Sequence, residues 1–234
     1  IFRDAGAALI VEEVVGSGDP SPKGTIPVQS RTLSPEIAAK GLDERGASIL
    51  CRADLKTALA SAPVATANEI IVQTLGGRLI ACDLSGREKW SHEAKEFLIS
   101  RPVVRGGALY IASASGRVSK LDLETGRLLA AVSIGERATS DLAVFDRSPN
   151  SFAILIGTLG GKLHCLSGDS LRTIWVSSSA SDMIQTRPLA AGGSIFFGAW
   201  DARLHALGAS DGRELWKWTE NDNFYYSPAG CVPA

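Results

Sequence analysis

One stretch, Gly76-Gly77-Arg78-Leu79-Ile80-Ala81-Cys82-Asp83-Leu84-Ser85-Gly86-Arg87-Glu88-Lys89-Trp90, recurs along the chain and constrains everything else. It reads as a strand, a tight turn and a second strand, with Ser85-Gly86 reversing the chain. The pattern returns at Ser115-Gly116-Arg117-Val118, at Gly160-Gly161-Lys162-Leu163 and at Asp201-Ala202-Arg203-Leu204. Taking Leu79, Val118, Leu163 and Leu204 as equivalent, the successive steps are 39, 45 and 41 residues. Pro63, Pro102 and Pro188 each precede their own landmark by 16 residues, and Gly86 and Gly212 precede Trp90 and Trp216 by four. Three landmarks in one phase define an internal repeat. Its irregularities are local: Leu171 stands where the third unit should have glycine, and Ala130 where the second should have tryptophan. The long step is absorbed at Asp146-Arg147-Ser148-Pro149-Asn150, which reads as a lengthened hairpin loop.

Each unit supplies four short apolar runs. A first strand follows the proline, as at Val103-Val104, and a Gly-rich turn follows it, as at Arg105-Gly106-Gly107. The second strand is β-branched or aromatic, as in Glu69-Ile70-Ile71-Val72-Gln73 and Ser194-Ile195-Phe196-Phe197-Gly198. The third holds the leucine landmark and the fourth ends at the tryptophan. Proline at the start of a strand removes no essential ladder bond, so it can recur there. Four antiparallel strands in about 40 residues describe a propeller blade. The expected fold is therefore all-β, a β-propeller of four-stranded antiparallel blades, incomplete at about four to five blades. Residues 1–36 form a non-repeating N-terminal segment in this reading, 37–60 a degenerate partial blade, and 61–234 the propeller blades, the last one truncated. Within the first segment, Ala5 to Val15 suits a strand or short helix, and Ser34-Pro35-Glu36 opens like a helix.

Composition narrows the function classes. The net charge of −1 leaves no electrostatic footprint for nucleic acid. No apolar run approaches the roughly 18 residues that span a bilayer. The four cysteines, Cys51, Cys82, Cys165 and Cys231, have no metal-type spacing, and Cys82 shares its repeat position with leucines, so it reads as a buried apolar residue. His164 and His205 follow consecutive leucine landmarks and read as strand residues, because no Cys, Asp or Glu joins them at ligand spacing.

The units resemble the repeat of pyrroloquinoline-quinone-type (quinoprotein dehydrogenase-like) propellers. The matches are Gly77-Arg78-Leu79-Ile80-Ala81-Cys82-Asp83 with Gly86 and Trp90, Lys120-Leu121-Asp122 with Thr125-Gly126, and Leu204-His205-Ala206-Leu207 with Gly212 and Trp216. The resemblance implies a tryptophan packed between neighbouring blades, so Trp90, Trp175 and Trp216 are expected to be buried. It also implies a closed ring of about seven or eight blades, more than this sequence supplies. The chain is then a portion of a longer protein, or its open propeller edges are covered by remaining blades or by another protein chain. The family contains both non-catalytic assembly proteins and quinone-dependent dehydrogenases. The expected function is a non-catalytic module for ligand or protein binding. The alternative is a fragment of a quinone-dependent dehydrogenase, or a propeller fused to a separate catalytic domain; pyrroloquinoline quinone with calcium belongs only to that alternative. No catalytic or metal residue is assigned. A periplasmic or secreted location is implied by the resemblance alone.

The candidate ligand site lies where the loops before the first strands meet the turns between second and third strands. Arg101 and Arg187 share one repeat position, and Trp200, Asp201, Tyr225 and Tyr226 fall nearby. Guanidinium groups grip carboxylates through paired hydrogen bonds and aromatic rings offer stacking area, so the set suits an anionic or aromatic ligand. The competing reading ties Arg101 and Arg187 to Asp141 and Asp201 as structural ion pairs.

Overall fold

The structure, a computed structural model, describes residues 2–4, 8–14, 31–32, 47–55 and 57–219, and every regular element among them is a β-strand. Among these, no helix is long and apolar enough to cross a membrane. The chain divides into two units, Ile1–Lys95 and Glu96–Ala234.

The first unit holds two sheets. The N-terminal one has the order β1-β2-β4-β3, from β1 (Phe2–Asp4), β2 (Ala8–Val14), β3 (Arg31–Thr32) and β4 (Ala47–Asp54). Its β3 runs parallel to β4, unlike a hairpin-built blade. The Ala5–Val15 stretch thus contains a strand, while the helix start read at Ser34-Pro35-Glu36 lies outside the described residues. The second sheet is a regular blade: β5 (Val64–Ala65), β6 (Glu69–Gln73), β7 (Arg78–Asp83) and β8 (Glu88–Glu93), in consecutive antiparallel order.

The second unit holds three further blades of the same order: β9 (Val103–Arg105) to β12 (Leu128–Ser133) through β10 (Ala108–Ala112) and β11 (Arg117–Asp122); β13 (Ala143–Ser148), β14 (Ser151–Gly157), β15 (Leu163–Ser167) and β16 (Thr173–Ser177); and β17 (Leu189–Ala191), β18 (Ser194–Ala199), β19 (Arg203–Gly208) and β20 (Glu214–Trp218). Every blade carries a register shift at one place between its third and fourth strands: Ala81/Cys82, Lys120/Leu121, Cys165/Leu166 and Ala206/Leu207. The N-terminal sheet repeats it at Val11/Glu12. Of the stretch from Asp146 to Asn150, the first three residues belong to β13 and only Pro149-Asn150 form the turn. The stretch lengthens the strands, pairing Ser148 with Ser151 across a tight turn.

Turn chemistry explains the repeat's signature. The Asp83 carboxylate accepts the Ser85 and Arg87 backbone N–H groups at 2.8 and 3.0 Å, and Gly86 takes φ 82°. Asp122 accepts from the Thr125 N–H and hydroxyl in the same way. An aspartate that mimics a backbone acceptor and a glycine free to adopt positive φ together close the hairpin. Where the third unit replaces that glycine, Leu171 keeps the left-handed conformation at φ 57°. Its buried side chain joins the apolar cluster between blades, which offsets the strain.

Strand position dictates burial. The second strands β6 and β10 are buried at every residue, because both faces are covered. In β14, Ala153 and Leu155 pack into the cluster shared with β18, while Ile154 and Ile156 enter the cluster shared with β10, the period-two alternation of a strand between two neighbours.

The junctions use one recurring acceptor. The Trp175 indole Nε1–H donates to the Ala209 carbonyl of the next blade at 3.2 Å, and the ring lies over Gly212, where an added Cβ would meet it at 2.4 Å. Between the β9–β12 and β13–β16 blades, Ala130 occupies the tryptophan's place opposite Lys120. There the Tyr110 hydroxyl does the equivalent work, donating to the Gly168 carbonyl at 2.7 Å with Phe152 edge-on to its ring at 5.9 Å. Burial pushes the Tyr110 hydroxyl up to about 12. Gly168 and Ala209 occupy matching places in their turns, each one residue after the strand position whose N–H bonds back across the hairpin.

The tryptophans divide. Trp90 and Trp175 are 8 % exposed, at register positions opposite Ala81 and Cys165. Trp216 holds the matching position opposite Ala206 yet is 46 % exposed, which corrects the expectation that it is buried. Its ring leans on Phe196 at 5.9 Å, and no described blade follows to cover it. Leu215 and Trp218 on the same strand are exposed too. Trp216→Ala is accordingly expected to cost only about 1–2 kcal/mol in this chain, since about half of the ring's apolar burial is missing. Urea unfolding of the variant checks this, and a loss as large as that of a sealed ring would contradict the exposure.

Candidate functional site

The loop before each first strand is locked to the turn between second and third strands. A buried hydroxyl recurs two residues before the first-strand landmark: Ser100, Ser140 and Thr186 accept the N–H of Ala112, Gly157 and Gly198 at 3.1, 2.7 and 3.1 Å. A carboxylate makes the second tie. Glu96 accepts from the hydroxyls of Ser113 and Ser115. Glu136 pairs with Lys162 and accepts from the Thr158 hydroxyl at 3.1 Å. In the last blade the polarity reverses, and the turn carries the acid: Asp201 accepts the Ser181 N–H at 3.0 Å.

These ties fix the candidate residues. Arg101 and Arg187 are both exposed, each just before a buried proline at the head of its first strand. Antiparallel pairing puts those strand heads at the same end of the blade as the turns carrying Ser115 and Asp201. Between Arg101 and Asp141 the bond uses the backbone: the Arg101 N–H donates to Asp141 Oδ1 at 2.8 Å. Trp200 is half-buried, and its Nε1–H donates to Gln185 Oε1 at 2.9 Å, which ties the ring to the segment leading to Arg187. Tyr225 and Tyr226 lie outside the described residues.

Asp201 is bonded on two sides, to Ser181 and to His205. Its side chain is 4 % exposed and faces His205 Nε2 at 3.1 Å. Arg187 is not its partner; the guanidinium nearest to it belongs to Arg203, at 3.9 Å. Burial raises the Asp201 carboxyl, but the Ser181 N–H and the His205 imidazole outweigh it and hold the group below its ordinary value. His205 itself is fully buried and stacked on Phe197, with ring centroids 5.0 Å apart. The matching His164 is buried with Nε2 unpartnered, and burial lowers its pKa. Among the described residues, no three of His, Cys, Asp and Glu converge as a metal-binding group.

The charge ties predict a pH response. Hydrogen bonds from Ser113 and Ser115 lower Glu96, and the bond from Lys162 lowers Glu136. A carboxyl depressed in the folded state contributes stability above its unfolded pKa and loses it as pH falls through the folded value. A histidine held neutral by burial acts in the same direction, because the unfolded chain gains the proton first. Thermal midpoints are therefore expected to fall from about pH 6.5, where unfolded His164 protonates, and more steeply below about pH 4.5, where Glu96, Glu136 and Asp201 follow. Glu136→Gln flattens the acid limb of a pH series of melts. A midpoint that holds or rises toward pH 3 would contradict these assignments.

Comparison with known proteins agrees with this architecture. Curated relatives are outer membrane protein assembly factors BamB. That of Nitrosomonas eutropha is 27 % identical over 117 residues, 50 % of this chain and 27 % of its own length. That of Moranella endobia is 28 % identical over 148 residues, 62 % of this chain and 36 % of its own length. The chain thus spans about a quarter to a third of these relatives. Among solved structures, BamB from Moraxella catarrhalis superposes with a TM-score of 0.66 at 17 % identity, over 79 % of this chain and 59 % of that one. The computationally designed Ika8 protein gives 0.63 at 10 % identity, over 97 % of this chain and 63 % of that one. At these identities the structures speak for the fold alone. The family model described as outer membrane protein assembly factor BamB (PQQ_2) matches residues 15–152 and 147–225, most of the sequence, and the chain belongs to that family of propeller-repeat proteins.

Proposed function

We propose that this chain is a non-catalytic propeller module that binds protein partners as part of a larger assembly, in an exported, periplasmic setting like that implied by the BamB name of its relatives. The observation that carries the reading is the outer face of β20. At the preceding junction the same tryptophan position is sealed by the next blade's turn, whereas Leu215, Trp216 and Trp218 stand exposed together. Contiguous exposed apolar side chains on a blade face mark an interaction surface. The face suits a further blade of the same repeat, one that offers a turn glycine beneath the indole and a carbonyl to its N–H. Arg101, Arg187 and Trp200, at one end of their blades, supply a second, polar contact region for a partner or anionic ligand.

Light scattering tests the reading. The isolated 234-residue chain is expected to self-associate through β20, and Trp216→Arg with Trp218→Arg to return it to a monomer. A stable monomer whose behaviour the double substitution leaves unchanged would count against an open docking face.

A further inference from the structure

At the opposite end of the blades from Arg101 and Arg187, a groove of about 630 Å³ opens between the β13–β16 and β17–β20 blades. Its origin is the long third step of the repeat. The extra residues extend the β13–β14 hairpin beyond its neighbour, whose β17 ends at Ala191 and turns through Gly192 and Gly193. The extended hairpin walls the groove, and the short one, with Ala190, Gly193 and Ala209, lines it with small residues. Val144 and Phe145 add apolar surface.

Two features choose the ligand. The pairing shifts between Asp146 and Ser148, so Arg147 is the bulged residue, and bulges re-aim side chains beside binding sites. Arg147 lines the groove and is exposed, and no carboxylate pairs with it among the described residues. Its neighbour Asp146 is engaged by Arg105 of the preceding blade. Among the described residues, the groove therefore carries one unbalanced guanidinium. The second feature is the backbone. Among the described residues, both β13 and β17 are edge strands, each hydrogen-bonded along one side only. Edge strands present free N–H and C=O groups to an added strand.

We propose that this groove binds an extended peptide segment through strand-type backbone bonds, its acidic side chain or C-terminal carboxylate held by Arg147. The site goes beyond the scaffold reading and does not depend on the β20 face. The test is NMR titration of the isotope-labelled full chain with acetyl-Ala-Val-Ala-Val-Asp bearing a free C-terminus. The expected result is a set of shifts at Val144–Arg147 and Ala190–Ser194. Arg147→Gln should weaken binding roughly tenfold, the scale of one charge-assisted hydrogen bond, while Arg147→Lys retains part of it. Ala191→Phe should block the groove without moving the thermal midpoint. Equal binding of the Asn-containing, C-amidated peptide would overturn the proposal, as would an unchanged affinity in Arg147→Gln or no binding at all. The same shifts from acetate alone at similar concentration would reduce the site to a small-anion pocket and overturn the peptide assignment.

Discussion

Replacing Trp175 with alanine is expected to lower the stability of the chain by about 3–5 kcal/mol, the cost of emptying a fully packed aromatic site. The ring is 8 % exposed, belongs to the cluster that joins two blades, and spends its N–H on the Ala209 carbonyl. Gly212 holds φ 71° directly beneath it, so no side chain from that turn can fill the void. Trp175→Phe should cost less, because most of the apolar contact survives while one hydrogen bond is lost. Urea unfolding followed by circular dichroism reads both variants. A Trp175→Ala chain as stable as the parent would mean that the blades do not stack through this ring.

Gly116→Ala is the second large effect. A Cβ at this position would lie 1.9 Å from the Glu136 carbonyl oxygen, in a residue held at φ 84°. The obstacle is backbone of the segment leading to the next blade, already anchored by Glu136 to Thr158 and Lys162, so it cannot retreat cheaply. Left-handed strain of about 1–2 kcal/mol adds to an overpacking cost of about 1–3 kcal/mol, for an expected loss of about 2–5 kcal/mol. Gly107→Ala is the control. It has positive φ as well, but nothing within 4 Å of the added carbon, and only the strain remains. Equal losses in the two variants would show that the contact with Glu136 is not made.

The blades were legible in the sequence because their determinants are local. Asp83, Ser85 and Gly86 close a hairpin with their own atoms, and the recurrence of that chemistry sets the register. Leu171 was visible as an exception, though not the burial that lets it hold a glycine's conformation. The exposure of Trp216 was not legible: the residue matches Trp90 and Trp175 in every local respect, and only the surface beyond it differs. The place of Asp201 on a turn was legible, but its bonds to Ser181 and His205 were not, because their approach depends on packing. The hydroxyls of Ser100, Ser140 and Thr186 had a usable signal, their common place just before the first strand. Tyr110 had none, since its role follows from the alanine that replaced a tryptophan on another strand.

Hydrogen exchange of the indole N–H groups, read by NMR on the isolated chain diluted until it is monomeric, addresses the stacking of these repeats as blades and the openness of the last one. Trp175, bonded to the Ala209 carbonyl, is expected to exchange at least as slowly as the core amides around it, and Trp216 to exchange rapidly. Rapid exchange at Trp175, or protection at Trp216 equal to it, would contradict both.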